Sequence, residues 1–307
     1  MESKTKKIHD LVVIGAGPAG LCASIYASRY KVDHIVIGEE IGGQVVEASE
    51  IENWPGEKLI TGKNLMDKFV EQTKDLGGKI IQSSVEKVEK TNDGFTIYAG
   101  GNKYNSRTVI FALGMKPRKM NVPGEDKFMG KGISYCATCD ATFFKGKKVA
   151  VVGGGDAAAM AAVHLSDFAD KIYILRRKEI TWNPARQEEL EKNPKIELVL
   201  SESIKEVKGG ERVSGVICEC DGKEEEMDIE GLFIEIGSVP GVTIVKELGV
   251  EVDEQNYIKV NQNQETNIGG VWAAGDATTG SNKFRQIITA AAEGAVAAGS
   301  VYKKLKL

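Results

Sequence analysis

The sequence predicts an α/β protein in which one domain is inserted into another, and three observations carry this prediction. The chain has 307 residues, which is more than a single hydrophobic core usually supports, so two domains are expected. Two segments, starting near residues 10 and 148, each alternate β-rich apolar runs with an alanine-rich helical pattern. Two clusters of breaker residues, MKP at 115–117 and VPG at 239–241, bracket the second segment.

The composition excludes several classes of function. Hydrophobic residues make up 42% and charged residues 27% of the chain, which is ordinary for a globular protein. The net charge of −4 offers no basic surface for nucleic acid. No apolar run is long enough for a bilayer, and the polar start MESKTKKIHD lacks the apolar core of a signal peptide. We therefore expect a cytoplasmic protein with neither nucleic acid nor a membrane as partner.

The first repeat, DLVVIGAGPAGLCASIYASR, joins a strand to a helix through a glycine turn. Gly15, Gly17 and Gly20 match the dinucleotide-binding fingerprint, with Pro18 and Ala19 between the last two. The first glycine permits a tight turn, and the second lets the backbone approach a pyrophosphate. The third position must be small so that the helix packs on the strand. The start of the helix then offers free N–H groups to the phosphates.

The second repeat, KVAVVGGGDAAAMAAVHLSD, follows the same plan. Gly153, Gly155 and Ala158 occupy the three fingerprint positions, and Asp156 and Ala157 open the predicted helix. One fingerprint alone is weak because glycine turns are common. Two of them, each between a strand-like and a helix-like run, predict two Rossmann-like nucleotide-binding domains.

The strands that follow the two repeats end with opposite charges. Glu39 comes 24 residues after the first glycine of its repeat, and Arg177 comes 24 residues after the first glycine of the other. An acid at this place accepts hydrogen bonds from a ribose diol, whereas an arginine pairs with a 2′-phosphate. The first site therefore suits FAD, and the second, with Arg176, Arg177 and Lys178, suits NADPH. The alternative is that RRKE is merely a solvated basic turn.

The rest of the chain sets the predicted domain limits. RTVIFALG, GLFIEIG and YIKV are strand-like, and QIITAAAEGAVAAGSVYKKL is predicted to be a long helix. We expect a discontinuous FAD-binding domain at 1–117 and 243–307, with an NAD(P)H-binding domain at 118–242 inserted into it.

The stretch CATCD places Cys136 and Cys139 beside Asp140. Such a pair binds a metal, forms a structural disulfide or carries electrons. A reducing compartment argues against a permanent disulfide. The stretch resembles a helix start, which favours the reactive thiolate, and an adjacent carboxyl can shuttle a proton. Asp140 has an alternative role as an acid that only complements the helix dipole.

The other cysteines do not support a zinc site. A four-cysteine module needs a second pair, usually spaced C-x-x-C, and Cys218 and Cys220 are spaced C-x-C in a predicted strand that enters a polar turn. Cys22 falls on the predicted first helix as a small apolar residue. No metal site is predicted.

Together these stretches resemble the low-molecular-weight thioredoxin reductases of the pyridine nucleotide-disulfide oxidoreductase family. The resemblance covers essentially the whole chain, and its most specific part is CATCD just upstream of the second fingerprint. The shared stretches are VIGAGPAG, GGQ, ENWPG, CATCD, VVGGGDAA, GLFIEIG, AAGD and FRQ.

The resemblance implies a homodimer of three-layer ββα domains that passes electrons from NADPH through FAD to the Cys136–Cys139 disulfide and then to thioredoxin. It implies that Cys139 faces the flavin and that Cys136 attacks the partner disulfide. It adds Gly237 to the NADPH site. The FAD contacts it implies beyond the first glycine turn are Glu39, Glu40, Gly42, Gly43, Gln44, Asn53, Asp276, Arg285, Gln286 and Ile287.

Three positions depart from the family pattern. Leu175 stands where a histidine is usual, and Thr181 stands where a further arginine is usual. Lys178 or Arg186 is a candidate substitute, so the preference for NADPH over NADH is less firmly predicted than nucleotide binding. Leu113 replaces a threonine, and we expect packing to absorb that change.

Rival functions stay open at this stage. One is a related flavin disulfide reductase with NADH or ferredoxin as donor, or with another small thiol protein as acceptor. GGGDAA and the paired arginines argue against ferredoxin. The other is a nucleotide-binding redox sensor that uses the cysteine pair as a switch or zinc clip.

Overall fold

The computed structural model describes residues 7–48, 51–177, 180–182, 184–220 and 222–306. The strands, in chain order, are β1 Ile8–Ile14, β2 His34–Gly38, β3 Lys79–Gln82, β4 Val85–Thr91, β5 Gly94–Ala99, β6 Asn102–Phe111, β7 Met115–Pro117, β8 Ile133–Ser134, β9 Lys148–Val152, β10 Lys171–Arg176, β11 Ile196–Leu200, β12 Ser203–Gly209, β13 Val213–Cys220, β14 Lys223–Asp228, β15 Gly231–Ile234, β16 Ser238–Pro240 and β17 Val271–Ala273. The α-helices are α1 Pro18–Arg29, α2 Gly62–Asp75, α3 Glu125–Phe128, α4 Ala137–Asp140, α5 Asp156–Ser166, α6 Pro184–Lys192, α7 Thr243–Glu247 and α8 Ile287–Lys306.

The chain forms two compact units. The first unit ends at Lys116 and resumes at Val239, and the second unit is Pro117–Ser238. The two segments where the chain crosses between them, β7 and β16, pair as a small sheet.

The sheet of the first unit has a parallel part and an antiparallel part that share β6. The parallel order is β3-β2-β1-β6-β17, and β4 and β5 form an antiparallel meander on β6. One edge of β6 changes partner along its length, pairing Asn102–Ser106 with β5 and Val109–Phe111 with β17. The long strand thus carries both the meander and the end of the sheet that receives the C-terminal part of the chain.

Alternating side chains of β1 supply the cores on the two faces of this sheet, as strand geometry requires. Leu11 and Val13 pack among the alanines of α1 and α8, and Val12 and Ile14 pack with the meander. The result is three layers: meander, parallel sheet and helices. Leu113 packs against the meander core, so the expectation that packing absorbs this residue is confirmed.

The second unit repeats the three layers at a smaller scale. Its parallel sheet has the order β11-β10-β9-β15-β8, and its meander is β12-β13-β14. Val149 and Val151 of β9 pack toward α5, and Ala150 packs toward the meander. The predicted class, two Rossmann-like ββα domains with one inserted into the other, is confirmed.

One local prediction was wrong and two were right. YIKV is not a strand, because Ile258 and Lys259 bond to different segments, Ile258 N to Ala277 O and Lys259 N to Glu251 O, so no continuous ladder forms. The strand that carries Cys218 and Cys220 enters a turn as predicted, and Lys223–Asp228 then pairs back with β13 while its side chains stay largely exposed. The long C-terminal helix is confirmed as α8.

No helix in the described part of the chain is long and apolar enough to cross a membrane.

Candidate functional site

The first glycine turn joins β1 to α1, and backbone oxygen atoms leave no room for a side chain at two of its three glycines. Gly15 has φ +115°, and a Cβ there would lie 2.0 Å from the Ala112 oxygen. A Cβ on Gly20 would lie 1.9 Å from the Gly15 oxygen. Gly17 differs: its φ is −82°, and the atom nearest to an added Cβ is the Gly43 Cα at 4.0 Å. The fold itself does not require glycine at position 17. A glycine there is explained if a ligand approaches the backbone at this point.

The start of α1 next to this turn suits an anion. Gly17 is the N-cap residue and makes no side-chain cap, and Pro18 occupies the first turn. Ala19 is 5% exposed and packs against α8, where a Cβ on Gly294 would lie 2.1 Å from the Ala19 oxygen. Ala19 is therefore a packing residue through its side chain, and only its backbone is available to a phosphate.

The end of β2 brings the predicted acidic loop to the glycine turn. Gly42 N donates to Ala16 O at 2.8 Å, and Gly42 has φ +92°. The Glu39 carboxylate accepts a 3.2 Å hydrogen bond from Ser84 Oγ. Glu40 and Gln44 are exposed, with Gln44 on the 3₁₀ turn Gly43–Glu47. The carboxylate of Glu39 is thus oriented at the carboxyl end of the strand, where a ribose is expected.

The residues after β17 form a shallow depression in the first unit. Asp276 is half-buried in this depression. Burial raises the pKa of its carboxyl to about 6. The Arg285 guanidinium lowers that pKa, and the Glu293 carboxylate raises it. Ile287 is the first residue of α8. The depression is lined by Gly275, Asp276, Thr278, Gly280, Lys283, Phe284, Arg285, Thr289, Ala290 and Glu293.

Glu293 is a residue of this site that the sequence analysis missed. It is 5% exposed, and its Oε2 accepts hydrogen bonds from Gly275 N at 2.8 Å and from Thr278 Oγ1 at 3.0 Å. The carboxylate therefore holds the loop that carries Asp276. A single acid within the alanine-rich run AAAEGAVAA was the signal, because an acid on an apolar helix face is buried only when it is paired.

The second glycine turn joins β9 to α5. Gly153 has φ +154°, and a Cβ there would lie 2.3 Å from the Glu235 oxygen and 2.8 Å from the Ala158 Cβ. Gly155 is the N-cap residue of α5 and makes no side-chain cap. Asp156 and Ala157 are exposed in the first turn, and Ala158 is fully buried. This is the geometry that the fingerprint predicts for a helix start facing a phosphate.

The positions that depart from the family pattern have structural roles here. Leu175 is buried in the core of the second unit at 2% exposure. Thr181 is hydrogen-bonded to the second glycine turn. Its backbone N donates to Gly154 O at 2.9 Å, and its Oγ1 donates to the same oxygen at 3.3 Å. Arg186 forms an ion pair with Glu189.

Arg176 ends β10 and Arg177 follows it with an exposed side chain. Lys178 lies outside the described residues. Gly237 has φ +87°, and its oxygen accepts a 2.9 Å hydrogen bond from Arg118 N.

Cys136 and Cys139 form a disulfide in the second unit, with their Cα atoms 5.3 Å apart. Cys136 is the N-cap residue of α4, and Cys139 N donates to Cys136 Sγ at 3.1 Å. Ser134 Oγ accepts from Cys136 N at 3.0 Å. The predicted helix start is confirmed, although the helix is one turn long, with Asp140 as its half-buried last residue.

A buried carboxylate that the sequence analysis missed supports the segment before this disulfide. Glu125 is 2% exposed and accepts from Met120 N at 2.9 Å, from Asn121 N at 2.6 Å and from the Tyr135 phenol. Burial and this carboxylate raise the pKa of Tyr135 above its usual range. Tyr135 precedes Cys136 directly, so Glu125 fixes the backbone that enters the Cys136–Cys139 disulfide. No local pattern in the sequence marks this pairing.

Comparisons with known proteins agree with this arrangement. The family model described as pyridine nucleotide-disulphide oxidoreductase matches residues 9–294. A thioredoxin reductase from Listeria monocytogenes serovar 1/2a is 36% identical over 303 residues, covering 97% of this chain and 94% of the relative. The crystal structure of Lactococcus lactis thioredoxin reductase in its FR conformation has a TM-score of 0.88 at 33% identity, covering 97% of this chain and all of the other. The T. acidophilum thioredoxin reductase structure has a TM-score of 0.86 at 33% identity, covering 98% of this chain and all of the other.

Proposed function

The chain belongs to the pyridine nucleotide-disulphide oxidoreductase family, within its low-molecular-weight thioredoxin reductases, and from this premise we propose which residues carry the reaction. It is an NADPH-dependent flavoprotein that reduces a protein disulfide. The observation that carries the proposal is the Cys136–Cys139 disulfide at the start of a helix, in the same unit as the second glycine turn.

The first unit holds FAD in this proposal. Backbone N–H groups at the start of α1 bind the pyrophosphate beside Gly17, and the Glu39 carboxylate accepts from the ribose. Asp276 accepts from the ribityl chain, held by the loop that Glu293 anchors. Bound FAD supplies a carrier that takes two electrons from NADPH and passes them to a disulfide.

The second unit holds NADPH. The backbone N–H groups at the start of α5, after the turn at Gly153 and Gly155, would bind the pyrophosphate. Arg176 and Arg177 pair with the 2′-phosphate, the group that distinguishes NADPH from NADH. Thr181 adds no charge here, so the two arginines carry the preference.

The dithiol chemistry follows from the arrangement of Cys136, Cys139 and Asp140. Two electrons and two protons convert the disulfide to two thiols, and Asp140 holds a proton beside the pair and releases it. As the thiolate, Cys136 Sγ attacks one sulfur of the thioredoxin disulfide. This forms a mixed disulfide and expels the other thioredoxin sulfur. Cys139 Sγ then attacks Cys136 Sγ and releases reduced thioredoxin. The Cys139 N–H that already points at Cys136 Sγ favours the thiolate at that sulfur.

The proposed assembly is a homodimer, in keeping with the family. Exposed apolar side chains on the two packed helices α1 and α8 support it: Tyr26 at 38%, Ile288 at 41% and Val296 at 44% exposure. Sedimentation equilibrium tests it, since a mass of about one chain at micromolar concentration would contradict it. A cytoplasmic location also stays a prediction.

Stopped-flow absorbance of the purified protein tests the proposed roles. NADPH should bleach the flavin band of the wild type, and oxidised thioredoxin should restore it. The Cys139→Ser variant should lose thioredoxin reduction completely. Asp140→Asn should keep flavin reduction by NADPH but lower thioredoxin turnover about 10²-fold. Asp126→Asn, at an exposed surface ion pair, is the matched control and should behave as wild type.

The same experiment separates the rival functions. Bleaching by NADH as readily as by NADPH would identify another donor, and bleaching without reoxidation by thioredoxin would identify another acceptor. A colourless protein would support the redox sensor and overturn the flavoenzyme.

A further inference from the structure

The second pair of cysteines lies outside the machinery described above. Cys218 and Cys220 are two residues apart on β13, so their side chains share one face of the strand. Their sulfur atoms are 3.4 Å apart. Cys218 is fully buried and Cys220 is 9% exposed, so the pair faces the core at the end of the β13–β14 hairpin.

Two oxygen atoms lie beside the sulfur of Cys218. Cys218 Sγ donates a weak hydrogen bond to Glu225 O at 3.6 Å, and the Ser201 hydroxyl lies within hydrogen-bonding reach of the same sulfur. Ser201 is 4% exposed, and its N donates to Arg176 O at 2.8 Å. The pair thus has oxygen atoms beside its more deeply buried sulfur.

The chemistry of the pair disfavours a nucleophile or a second redox disulfide. Burial raises the pKa of the Cys218 thiol to about 12, and the neighbouring Cys220 adds to that rise, so Cys218 is a poor nucleophile at neutral pH. Two residues of extended strand also span about 6.6 Å, at the upper limit of the Cα separation that a disulfide accepts.

A shared cation is better matched to this geometry. Two zinc–sulfur bonds of about 2.3 Å at a tetrahedral angle place the sulfurs about 3.8 Å apart, so the pair needs to open by only about 0.4 Å. Thiolate pairs select thiophilic cations over the harder ions that prefer oxygen. A hydroxyl and a carbonyl oxygen nearby offer further ligands at the same end of the hairpin.

We propose that Cys218 and Cys220 form a chelating dithiol site for one thiophilic divalent cation of the zinc and cadmium class. Binding replaces two S–H bonds by two sulfur–metal bonds and releases two protons to solvent, with no change in oxidation state. The affinity consequently increases with pH. The site is separate from the Cys136–Cys139 pair, which has no free thiols in the oxidised protein.

An anaerobic titration of the oxidised holoenzyme with Cd²⁺ tests the site, because only Cys22, Cys218 and Cys220 are then free thiols. We expect one equivalent of Cd²⁺ to bind per chain, with a sulfur-to-cadmium charge-transfer band and two protons released. Cys220→Ser should lose the band, and Cys22→Ser, the matched control, should keep it.

The fold of each variant is checked by its FAD content and by thioredoxin turnover without metal, which neither Cys218 nor Cys220 should affect. If Cys220→Ser misfolds, Cys218→Ala and Cys220→Ala provide the same comparison. A wild type without the band, or a band that persists when either sulfur is removed, overturns the proposal.

Discussion

The Asn53 side-chain amide donates a 3.0 Å hydrogen bond to Gln286 Oε1 across 233 residues of chain. Asn53 lies before the inserted unit and Gln286 lies after it, directly ahead of α8. Both were predicted to contact FAD on separate motifs, ENWPG and FRQ. Their hydrogen bond joins the two parts of the discontinuous first unit at the place where the flavin is proposed to bind.

Replacing Asn53 by Ala should weaken FAD binding about five-fold, because the amide that orients Gln286 is lost and one such hydrogen bond contributes about 1 kcal/mol. Titration of the apoprotein by flavin fluorescence quenching measures the dissociation constant. Asn64→Ala, at an exposed position in the first turn of α2, is the control and should leave it unchanged. An unchanged constant in Asn53→Ala would show that Gln286 is oriented without this bond.

Two glycines of the first turn should respond in opposite ways to alanine. Gly17→Ala meets no atom of the chain closer than 4.0 Å, so the apoprotein should lose no more than about 2–4 °C of melting temperature. Its FAD affinity should decrease at least 100-fold, because the methyl group occupies the path of the pyrophosphate.

Gly20→Ala should instead fail to fold well, since its Cβ would lie 1.9 Å from the Gly15 oxygen. Thermal scans with and without FAD compare the two variants. Normal FAD binding by a stable Gly17→Ala protein would contradict the proposed location of the pyrophosphate.

The stability of the apoprotein should depend on the ionisation of Asp276. Its pKa in the folded protein is raised from 3.8 to about 6 by burial, so the unfolded chain binds fewer protons between these values. The contribution of Asp276 is thus most favourable below about pH 4 and is lost as pH increases to about 6.

Asp276→Asn cannot ionise, so at pH 7 its apoprotein should be more stable than wild type by on the order of 1–2 kcal/mol, allowing for partial solvent exposure. At pH 4 the difference should disappear. FAD affinity should decrease in the same variant, since the ribityl acceptor is weakened. Melting temperatures of both apoproteins at the two pH values provide the check, and a pH-independent difference would contradict it.

Arg177→Ala should raise the KM for NADPH by about 10–100-fold, because a charge-assisted hydrogen bond contributes about 1.5–3 kcal/mol. The KM for NADH should change little, since NADH lacks the phosphate. Lys208→Ala, which removes an exposed ion pair with Glu226 elsewhere in the second unit, should affect neither. Equal losses with both coenzymes would assign Arg177 a structural role.

The sequence alone was sufficient to predict the features that depend on local backbone chemistry. The turns at Gly15 and Gly153 need glycine because their φ angles are positive. The strand and helix periods on either side can be recognised within about 20 residues. The same holds for the helix start at Cys136, and for the two-fold repeat that predicted one domain inside another.

Only the tertiary structure decided which residues pair with each other, at separations from 10 to 233 residues along the chain. Asn53 and Gln286, Glu293 and Gly275, and Tyr135 and Glu125 meet because sheets and helices pack in three dimensions. A buried carboxylate is stable only where several donors converge on it, and that convergence is a property of the folded chain. The sequence therefore determined which segments bend, pair and bind phosphate, and packing determined which side chains hold those segments in position.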